Sequence, residues 1–301
     1  MTGRSNPTTD YIAALSMAAM GGIVSLAAVK LQGSLFAGAY RIDLFSQVFK
    51  VLLSAGLFLT LCLCMELNGI RQRHRRDFYF LMFMCTLAMM MLVSSVHLIS
   101  MYLSLELSSY SLYILVALRR DAEFGLEAAI KYFLVGIFAS AVMFFGMGMV
   151  YAGTGTGYLQ QLVQVVPGFI NSPTVSLGLL LTLSGFLFKL VVFPFHFWAP
   201  DVYQGAANQV TAYISTASKV AAIAILLRTV AVIGDNSAYL IHVLVAMSII
   251  SMTVGNLAAI VEQDLKRLLA YSTIAHAGYV LIGILSVNGS GYAGSIFYAM
   301  S

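Results

Sequence analysis

Long apolar stretches separated by short polar segments dominate the chain. A membrane-spanning helix needs about 20 mostly apolar residues, and nine stretches satisfy that length. They occupy residues 11–29, 43–65, 78–96, 97–118, 125–151, 175–197, 208–232, 238–261 and 268–287. A tenth apolar stretch begins near residue 292 and continues to Ser301. The pattern predicts an all-α, polytopic transmembrane bundle of nine to ten helices, with a tight turn near Val96 between the third and fourth.

The basic residues lie mainly in alternate loops. Nine of them share one side with the N-terminus: Arg4, Arg71, Arg73, Arg75, Arg76, Arg119, Arg120, Lys266 and Arg267. Three lie on the other side, namely Lys30, Arg41 and Arg228, and the glycine-rich loop 152–174 adds none. Cytoplasmic loops carry an excess of lysine and arginine. We therefore predict a multi-pass protein of the bacterial plasma (inner) membrane with a cytoplasmic N-terminus.

The composition agrees with a membrane protein and excludes several other classes. The chain is 60% hydrophobic and 9% charged, with a mean hydropathy of +0.90, whereas a soluble domain carries about 25% charged residues. A net charge of +4, spread over short loops, does not indicate nucleic-acid binding. Cys62, Cys64 and Cys85 lie in apolar runs without the spacing of a metal or redox site. Phosphate-binding, dinucleotide-binding and heme-attachment motifs are also missing, so we expect no metal and no redox cofactor in this chain.

Glu106 lies near the centre of the stretch 97–118, within the sequence MYLSLELSSYSLY. An ionisable side chain in mid-membrane costs about 3 kcal/mol, and such residues are usually functional. A carboxylate at this depth can hold or release a proton, according to the charges beside it. The alternative is a structural hydrogen bond between helices.

Lys189 lies in the apolar sequence FKLVVFPFHF, five residues before Pro194. Proline lacks a backbone donor and clashes with the preceding turn, so the helix should break and free a carbonyl near Leu190. Irregular backbone at membrane depth is tolerated where it is buried in protein or lines a wet cavity. A lysine beside such a break predicts a hydrated ion path. The alternative is a lysine near a helix end that extends to the membrane surface.

Lys219 lies within the seventh stretch, beside Ser215, Thr216 and Ser218. Hydroxyl groups on the same helix can bind water or relay a proton, so we predict a second proton-carrying lysine. An ion pair between helices is the alternative.

Glu127 and Lys131 are four residues apart at the start of the fifth stretch. Glutamate before lysine is the favourable order for such a pair on a helix. A structural pair at the membrane surface is at least as good an interpretation as a functional one. Lys131 is one turn deeper and is the better functional candidate of the two.

Three histidines and the single tryptophan lie at or near ends of the predicted helices. An imidazole titrates near neutral pH and can pass on a proton. We interpret His97 as structural, and leave both a structural and a proton-carrying role open for His196 and His276. Trp198 is interpreted as an anchor at the membrane interface.

Several motifs together resemble one known family. GFLFKLVVFPFHFWAPDVYQGA, TAYISTASKVAA, EQDLKRLLAYSTIAHAGYVLIGIL and MYLSLELSSYSLYILVAL resemble the antiporter-like membrane subunits of proton-pumping NADH-quinone oxidoreductase (respiratory complex I). Mrp-type cation/proton antiporters are relatives of these subunits. The sequences DVYQGA and STASK are more similar to subunit N than to its sister subunits L and M. The resemblance covers most of the chain from about residue 40.

The resemblance implies a role for each charged candidate. Glu106 corresponds to the glutamate that couples electrostatically to the next lysine, and Lys189 to the central lysine on a broken helix. Lys219 corresponds to the lysine that links the half-channel to the middle of the membrane, and Lys131 to a lysine of the same family helix. The resemblance thus implies a translocase subunit without redox catalytic residues of its own.

The resemblance also implies a domain organisation and partners. Residues 1–77 would form N-terminal helices, 78–232 an antiporter-like repeat of five helices, and 233–301 the start of a second repeat that the chain leaves incomplete. NADH, FMN, iron–sulfur clusters and quinone are expected in partner subunits of a membrane-bound electron-transport complex. Two other interpretations stay open, an Mrp-type cation/proton antiporter subunit and a truncated structural fragment.

Overall fold

The computed structural model describes residues 7–67, 69–120, 122–233 and 238–300. Within these ranges, nine helical segments are long and apolar enough to cross a membrane. They coincide with the nine predicted stretches, so the prediction of an all-α, multi-pass membrane protein is confirmed. Arg4 and Ser301 lie outside the described residues.

Thirteen α-helices follow one another in the described ranges. They are α1 (Pro7–Ala27), α2 (Leu44–Cys62), α3 (Arg75–Ser94), α4 (Leu98–Ala117), α5 (Ala122–Thr154), α6 (Leu159–Phe169), α7 (Pro173–Leu190), α8 (Trp198–Gly205), α9 (Asn208–Ser215), α10 (Ala217–Ile233), α11 (Ala238–Val261), α12 (Leu265–Leu285) and α13 (Gly289–Met300). A 3₁₀ turn, Gln72–His74, precedes α3. Strands β1 (Gly33–Leu35) and β2 (Tyr40–Ile42) form an antiparallel hairpin between α1 and α2.

The helices pack around the segment formed by α9 and α10, which is the most buried of the described spans. Helix α10 contacts α2, α3, α6 and α7, and α7 in turn packs along α5. Helices α11 and α12 pack against each other, and α8 lies between α5 and α12. This arrangement brings the ends of α7 and α8 against α10, near the centre of the bundle.

The turn predicted near Val96 is confirmed, since α3 ends at Ser94 and α4 begins at Leu98. His97 precedes α4, and its Nδ1 accepts a hydrogen bond from the amide of Ile99 at 3.2 Å. A helix start leaves backbone amides without partners, and a side chain that accepts one of them stabilises it. This contact agrees with the structural interpretation of His97.

One ion pair joins the ends of α2, α3 and α10. Arg228 Nη2 of α10 lies 2.6 Å from Asp43 Oδ1, and its Nε donates to the Val93 carbonyl at 3.1 Å. Asp43 also caps α2 by accepting from the Ser46 amide. Burial would raise the pKa of the Asp43 carboxyl, but the Arg228 and Ser46 hydrogen bonds outweigh it and hold the pKa below its usual range.

The segment 152–174, predicted as a loop, contains the short helix α6. Its buried residues Leu159, Leu162 and Val166 recur every three to four positions, which is the spacing of one helix face. The glycines at its start and Pro167 inside it obscured this periodicity. The loop prediction was therefore wrong for residues 159–169.

The stretch 208–232 is not one continuous helix. Thr216 separates α9 from α10 with φ −112° and ψ −82°. The hydroxyls of Ser215 and Thr216 both donate to the Ala212 carbonyl, and hydroxyls that bond to the preceding turn in this way bend helices. The interruption lies three residues before Lys219.

Candidate functional site

Helix α7 ends at Leu190, inside the stretch 175–197 that was predicted as one span. Val191 follows in the left-handed region, with φ 69°, and the Phe193–Pro194 peptide bond is cis. The chain then forms turns until α8 begins at Trp198. Proline cannot supply an amide to continue the helix, so the predicted break is confirmed, although the helix ends four residues before the proline.

The break leaves one carbonyl of α7 available to a side chain. The amides of Val191 and Val192 donate to the Phe188 and Leu187 carbonyls, at 3.1 and 3.0 Å. The Lys189 carbonyl instead accepts a hydrogen bond from Lys219 Nζ at 2.8 Å. This is the carbonyl that the sequence predicted near Leu190.

Lys189 itself is enclosed, and 2% of the residue is exposed. Its Nζ donates to Ser108 Oγ of α4 at 2.5 Å, and Ser108 in turn donates to the Leu105 carbonyl at 2.7 Å. The Cys85 thiol of α3 donates to the backbone carbonyl oxygen of Ser108 at 3.4 Å. Neutral groups thus surround the Lys189 ammonium.

Helix α11 also contacts the backbone of the break. The Phe193 amide donates to Ser251 Oγ at 2.9 Å, and Ser251 is fully buried. Because a buried amide without a partner costs free energy, this contact stabilises the irregular backbone beside Lys189.

Glu106 lies on α4, and 6% of it is exposed. Its Oε1 has no hydrogen-bond partner among the described residues. Tyr110 and Tyr113 follow it by four and seven positions and so share its helix face, while Ser108 points away, two residues or about 200° further round. In the described part of the chain, no carboxylate oxygen lies within 4.0 Å of the Lys189 or Lys219 nitrogen. Glu106 therefore forms no direct ion pair with Lys189 among the described residues.

A cavity of about 560 Å³ adjoins Lys219. Its lining includes Thr216, Lys219, Thr273, His276 and Tyr298. His276 Nδ1 and the Tyr298 hydroxyl are hydrogen-bonded across α12 and α13. The cavity brings His276 and Lys219 to one space, as a proton path through both would require.

Lys131 lies in a different environment from the other two lysines. It is 44% exposed, and its Nζ lies 2.8 Å from Glu127 Oε1 and 2.8 Å from Asp201 Oδ2. Asp201 also binds Arg267 Nη1 at 2.7 Å. Burial would raise the pKa of Asp201, but the Lys131 and Arg267 hydrogen bonds outweigh it and lower that pKa. The predicted Glu127–Lys131 pair is present, within an ion network at the end of the bundle and apart from Lys189.

His196 lies in the break itself. It is buried, and its ring lies 5.7 Å from the Phe193 ring and 4.1 Å from the Phe197 ring, measured between centroids. Its Nδ1 has no side-chain or backbone partner that meets hydrogen-bond geometry among the described residues. The structure therefore places His196 just after the end of α7, without a hydrogen bond from its Nδ1 to Lys189 or Lys219 among the described residues.

Residues 95–301 match the family model described as the NADH:quinone oxidoreductase/Mrp antiporter transmembrane family. The match covers more than half of the chain and includes every charged candidate named above. The chain belongs to this family.

Named relatives and solved structures agree with this family. The chain is 64% identical over 301 residues to NADH-quinone oxidoreductase subunit N 2 of Syntrophobacter fumaroxidans, covering all of this chain and 64% of that protein. It matches a chain of respiratory complex I from Thermus thermophilus with 36% identity and a TM-score of 0.82, covering 97% of this chain and 63% of that one. A chain of the Mrp complex from Dietzia sp. has the same fold, with a TM-score of 0.87 at 22% identity over 97% of this chain and 57% of that one. The chain thus spans less than two thirds of the length of each of these three proteins.

Some residues at the site were not predicted from the sequence. Ser108 and Ser251 contact the lysine and the break from other helices, and serines inside apolar spans are too common to single them out. Asp201 stands out in hindsight, because it is a carboxylate seven residues after Pro194 in a mostly apolar segment. Trp198 was interpreted as an interfacial anchor, and this was wrong, since 2% of it is exposed.

Proposed function

We propose that this chain serves in proton translocation coupled to quinone reduction, within the membrane part of a respiratory NADH-quinone oxidoreductase. Its identity to subunit N of Syntrophobacter fumaroxidans and its likeness to a chain of Thermus thermophilus complex I support this proposal. An Mrp-type antiporter has the same fold, and at 22% identity that likeness concerns the fold alone.

One observation carries the proposal. Lys189 is buried at the end of a helix broken inside the membrane, and a second buried lysine donates to its carbonyl. Burying an ammonium without a counter-ion is costly, and such intramembrane cations mark ion pathways. Two of them on a break, beside a cavity, favour proton transfer over a purely structural role.

The proposed route leads from an exposed lysine to the two buried lysines and then to the cavity. Lys131, at the exposed end of the bundle, would act at the entrance, and Lys189 and Lys219 would hold the transferred proton. His276 would continue the route through the cavity it shares with Lys219, and His196 would supply a titrating group at the break. Glu106 would shift the charge state of Lys189 by its field, because charges in a low-dielectric interior interact strongly.

The remaining assignments extend this proposal, and the orientation among them follows from the distribution of basic residues in the loops. We propose a cytoplasmic N-terminus in a bacterial inner membrane, with residues 78–232 as the proton-translocating repeat and 233–301 as the start of a second. Peripheral and membrane partner subunits would carry NADH, FMN, iron–sulfur clusters and quinone. Electron transfer in those partners would change the field at Glu106 and so drive the proton steps.

Donor-driven proton uptake by inverted membrane vesicles tests this function. We expect Lys189→Ala to reduce uptake to background while the complex still assembles, with NADH oxidation and quinone reduction recorded in the same sample. Lys30→Ala is the matched control, because Lys30 is an exposed lysine in the turn after α1, and this variant should leave uptake unchanged.

Two results would contradict the proposal. Unchanged uptake and quinone reduction with assembled Lys189→Ala would exclude this chain from the pumping step. Proton movement by the chain without any electron donor would instead support a free-standing antiporter.

A further inference from the structure

Trp198, the one tryptophan of the chain, lies inside the bundle and not at its surface. Its indole stacks on the Tyr132 ring of α5, with centroids 4.3 Å apart and planes 19° apart. The Phe188 ring of α7 lies 5.3 Å away on a tilted plane. Aromatic neighbours on two helices therefore fix the position of the indole face.

Lys219 lies over that face. Its Nζ is 5.4 Å from the Trp198 ring centroid, within the range of about 6 Å at which a cation is attracted to an aromatic ring. Tryptophan gives the strongest such attraction, and the attraction grows when the cation is removed from water. Lys219 is 8% exposed, so the interaction is formed where water competes little.

An ammonium has three donors, and the described residues offer Lys219 one hydrogen-bond acceptor, the Lys189 carbonyl. The charge of Lys189 itself repels Lys219. His276 of α12 and Tyr298 of α13 share its cavity, and neither offers a negative charge at neutral pH in that space. The indole face is the aromatic surface that lies over this ammonium, beside the carbonyl that accepts its hydrogen bond.

Helix α8, which carries Trp198, is fastened at both ends. Asp201, three residues after Trp198, binds Lys131 and Arg267. At the other end, Arg119 donates to the Gln204 and Gly205 carbonyls at 2.7 and 2.9 Å. Cations at a helix C-terminus are stabilising. These contacts tie α8, and with it Trp198, to Lys131, Arg267 and Arg119.

We propose that Trp198 is a positioning residue whose indole face seats the charged ammonium of Lys219 and holds it at the Lys189 carbonyl. The inference rests on the proposed function, since it adds a residue that controls one of the two proton-carrying lysines. In this role the charge distribution of the indole ring matters. A residue that only fills space would depend on the size and shape of the ring.

Graded fluorination of the indole tests this directly. Fluorinated tryptophans with one to four fluorine atoms are introduced at position 198 by nonsense suppression, and the assembled complex is assayed in inverted vesicles. Each fluorine withdraws charge from the ring face with little change in size. We expect the pH of half-maximal donor-driven uptake to move stepwise to lower pH, by about one unit over the series, because the charged form of Lys219 loses its stabilisation.

A fluorinated phenylalanine at Phe186 is the matched control for packing, because Phe186 is fully buried on α7 and no described cation lies over its ring. It should leave the pH profile unchanged. Trp198→Leu should shift the profile at least as far as the most fluorinated indole. If that variant fails to assemble, the fluorinated series decides alone.

The outcomes separate this inference from the proposed function. One result would overturn the role of Trp198 alone. In that case all fluorinated variants assemble and share one pH profile, while uptake still needs Lys189 and Lys219, so the proposed function stands. Uptake that needs neither lysine would overturn the proposed function, and the role of Trp198 with it.

Discussion

Two groups of lysines in this chain differ in what surrounds their charge. Lys131 has two carboxylates at 2.8 Å and is 44% exposed. Lys189 and Lys219 are buried, and their described hydrogen-bond partners are a serine hydroxyl and a backbone carbonyl. A cation held by two carboxylates is fixed in its charged state, whereas neutral acceptors stabilise that state less. We therefore propose a reversible charge for the buried pair, and a fixed cation at the entrance of the route for Lys131.

The largest expected effect is at Lys219. Lys219→Met removes the donor to the Lys189 carbonyl and the cation over Trp198, and we expect donor-driven uptake to fall by about 100-fold, the low end for a positioned proton-transfer group. Lys219→Arg is the informative control, because arginine keeps a donor but stays charged. Both variants should assemble, and the arginine variant should also leave uptake low. Recovery of uptake by arginine would mean that Lys219 only anchors the break.

The second-largest effect is expected at the packing contact between α5 and α7. In α5, a Cβ added at Gly146 would lie 2.5 Å from the Thr182 amide nitrogen of α7, whereas one at Gly148 meets nothing within 4 Å. Forcing atoms into a packed contact costs about 1–3 kcal/mol, so Gly146→Ala should lower the melting temperature of the purified complex and reduce uptake. Gly148→Ala should be neutral or stabilise by up to about 1 kcal/mol. Equal melting temperatures for the two variants would show that α5 and α7 are not in close contact.

A smaller effect is expected at the contact between the break and α11. Ser251→Ala leaves the Phe193 amide without its acceptor, which costs about 1–3 kcal/mol when the amide stays buried. We expect faster hydrogen–deuterium exchange in residues 191–197. Ser248→Ala is the matched control, since Ser248 is equally buried on α11 but donates to Gly278. Equal exchange in both variants would contradict the contact.

The smallest effect is expected in the surface network. Partly exposed ion pairs contribute about 0–1 kcal/mol, so Asp201→Asn should cost no more than that in thermal stability, and the cost should shrink in high salt. The pKa of Asp201 is lowered from 3.8 in the folded chain. The stability that the Asp201 carboxylate contributes is therefore fully present above pH 3.8, and it is lost as the pH falls through the lowered pKa. The variant should remove this acid dependence. A large, salt-independent loss would show that the network is as buried as Lys189.

The sequence predicts the buried charges well because their cost is local. Glu106, Lys189 and Lys219 stand out against apolar neighbours, and Pro194 predicts the position of the helix break to within a few residues. The partners of these groups come from distant segments. Asp201 meets Lys131 and Arg267 across 70 and 66 residues, and Trp198 meets Lys219 only because α8 turns back into the bundle.

The shortest helices and strands could not be predicted from the pattern of apolar and polar residues either. The hairpin β1–β2 has three residues in each strand, too few to show alternation of apolar and polar residues. Helix α6 has eleven residues, and its glycine-rich surroundings resemble a loop. In each case tertiary packing decided the structure where the local signal was weak.

The measurement that tests the comparison most directly is donor-driven proton uptake by inverted vesicles carrying Lys189→Ala or Lys131→Ala, with quinone reduction and assembly recorded together. The account predicts background uptake for Lys189→Ala and a partial loss for Lys131→Ala, because the first lysine carries the proton and the second acts at the entrance. Equal losses in both variants, or full uptake by assembled Lys189→Ala, would contradict it.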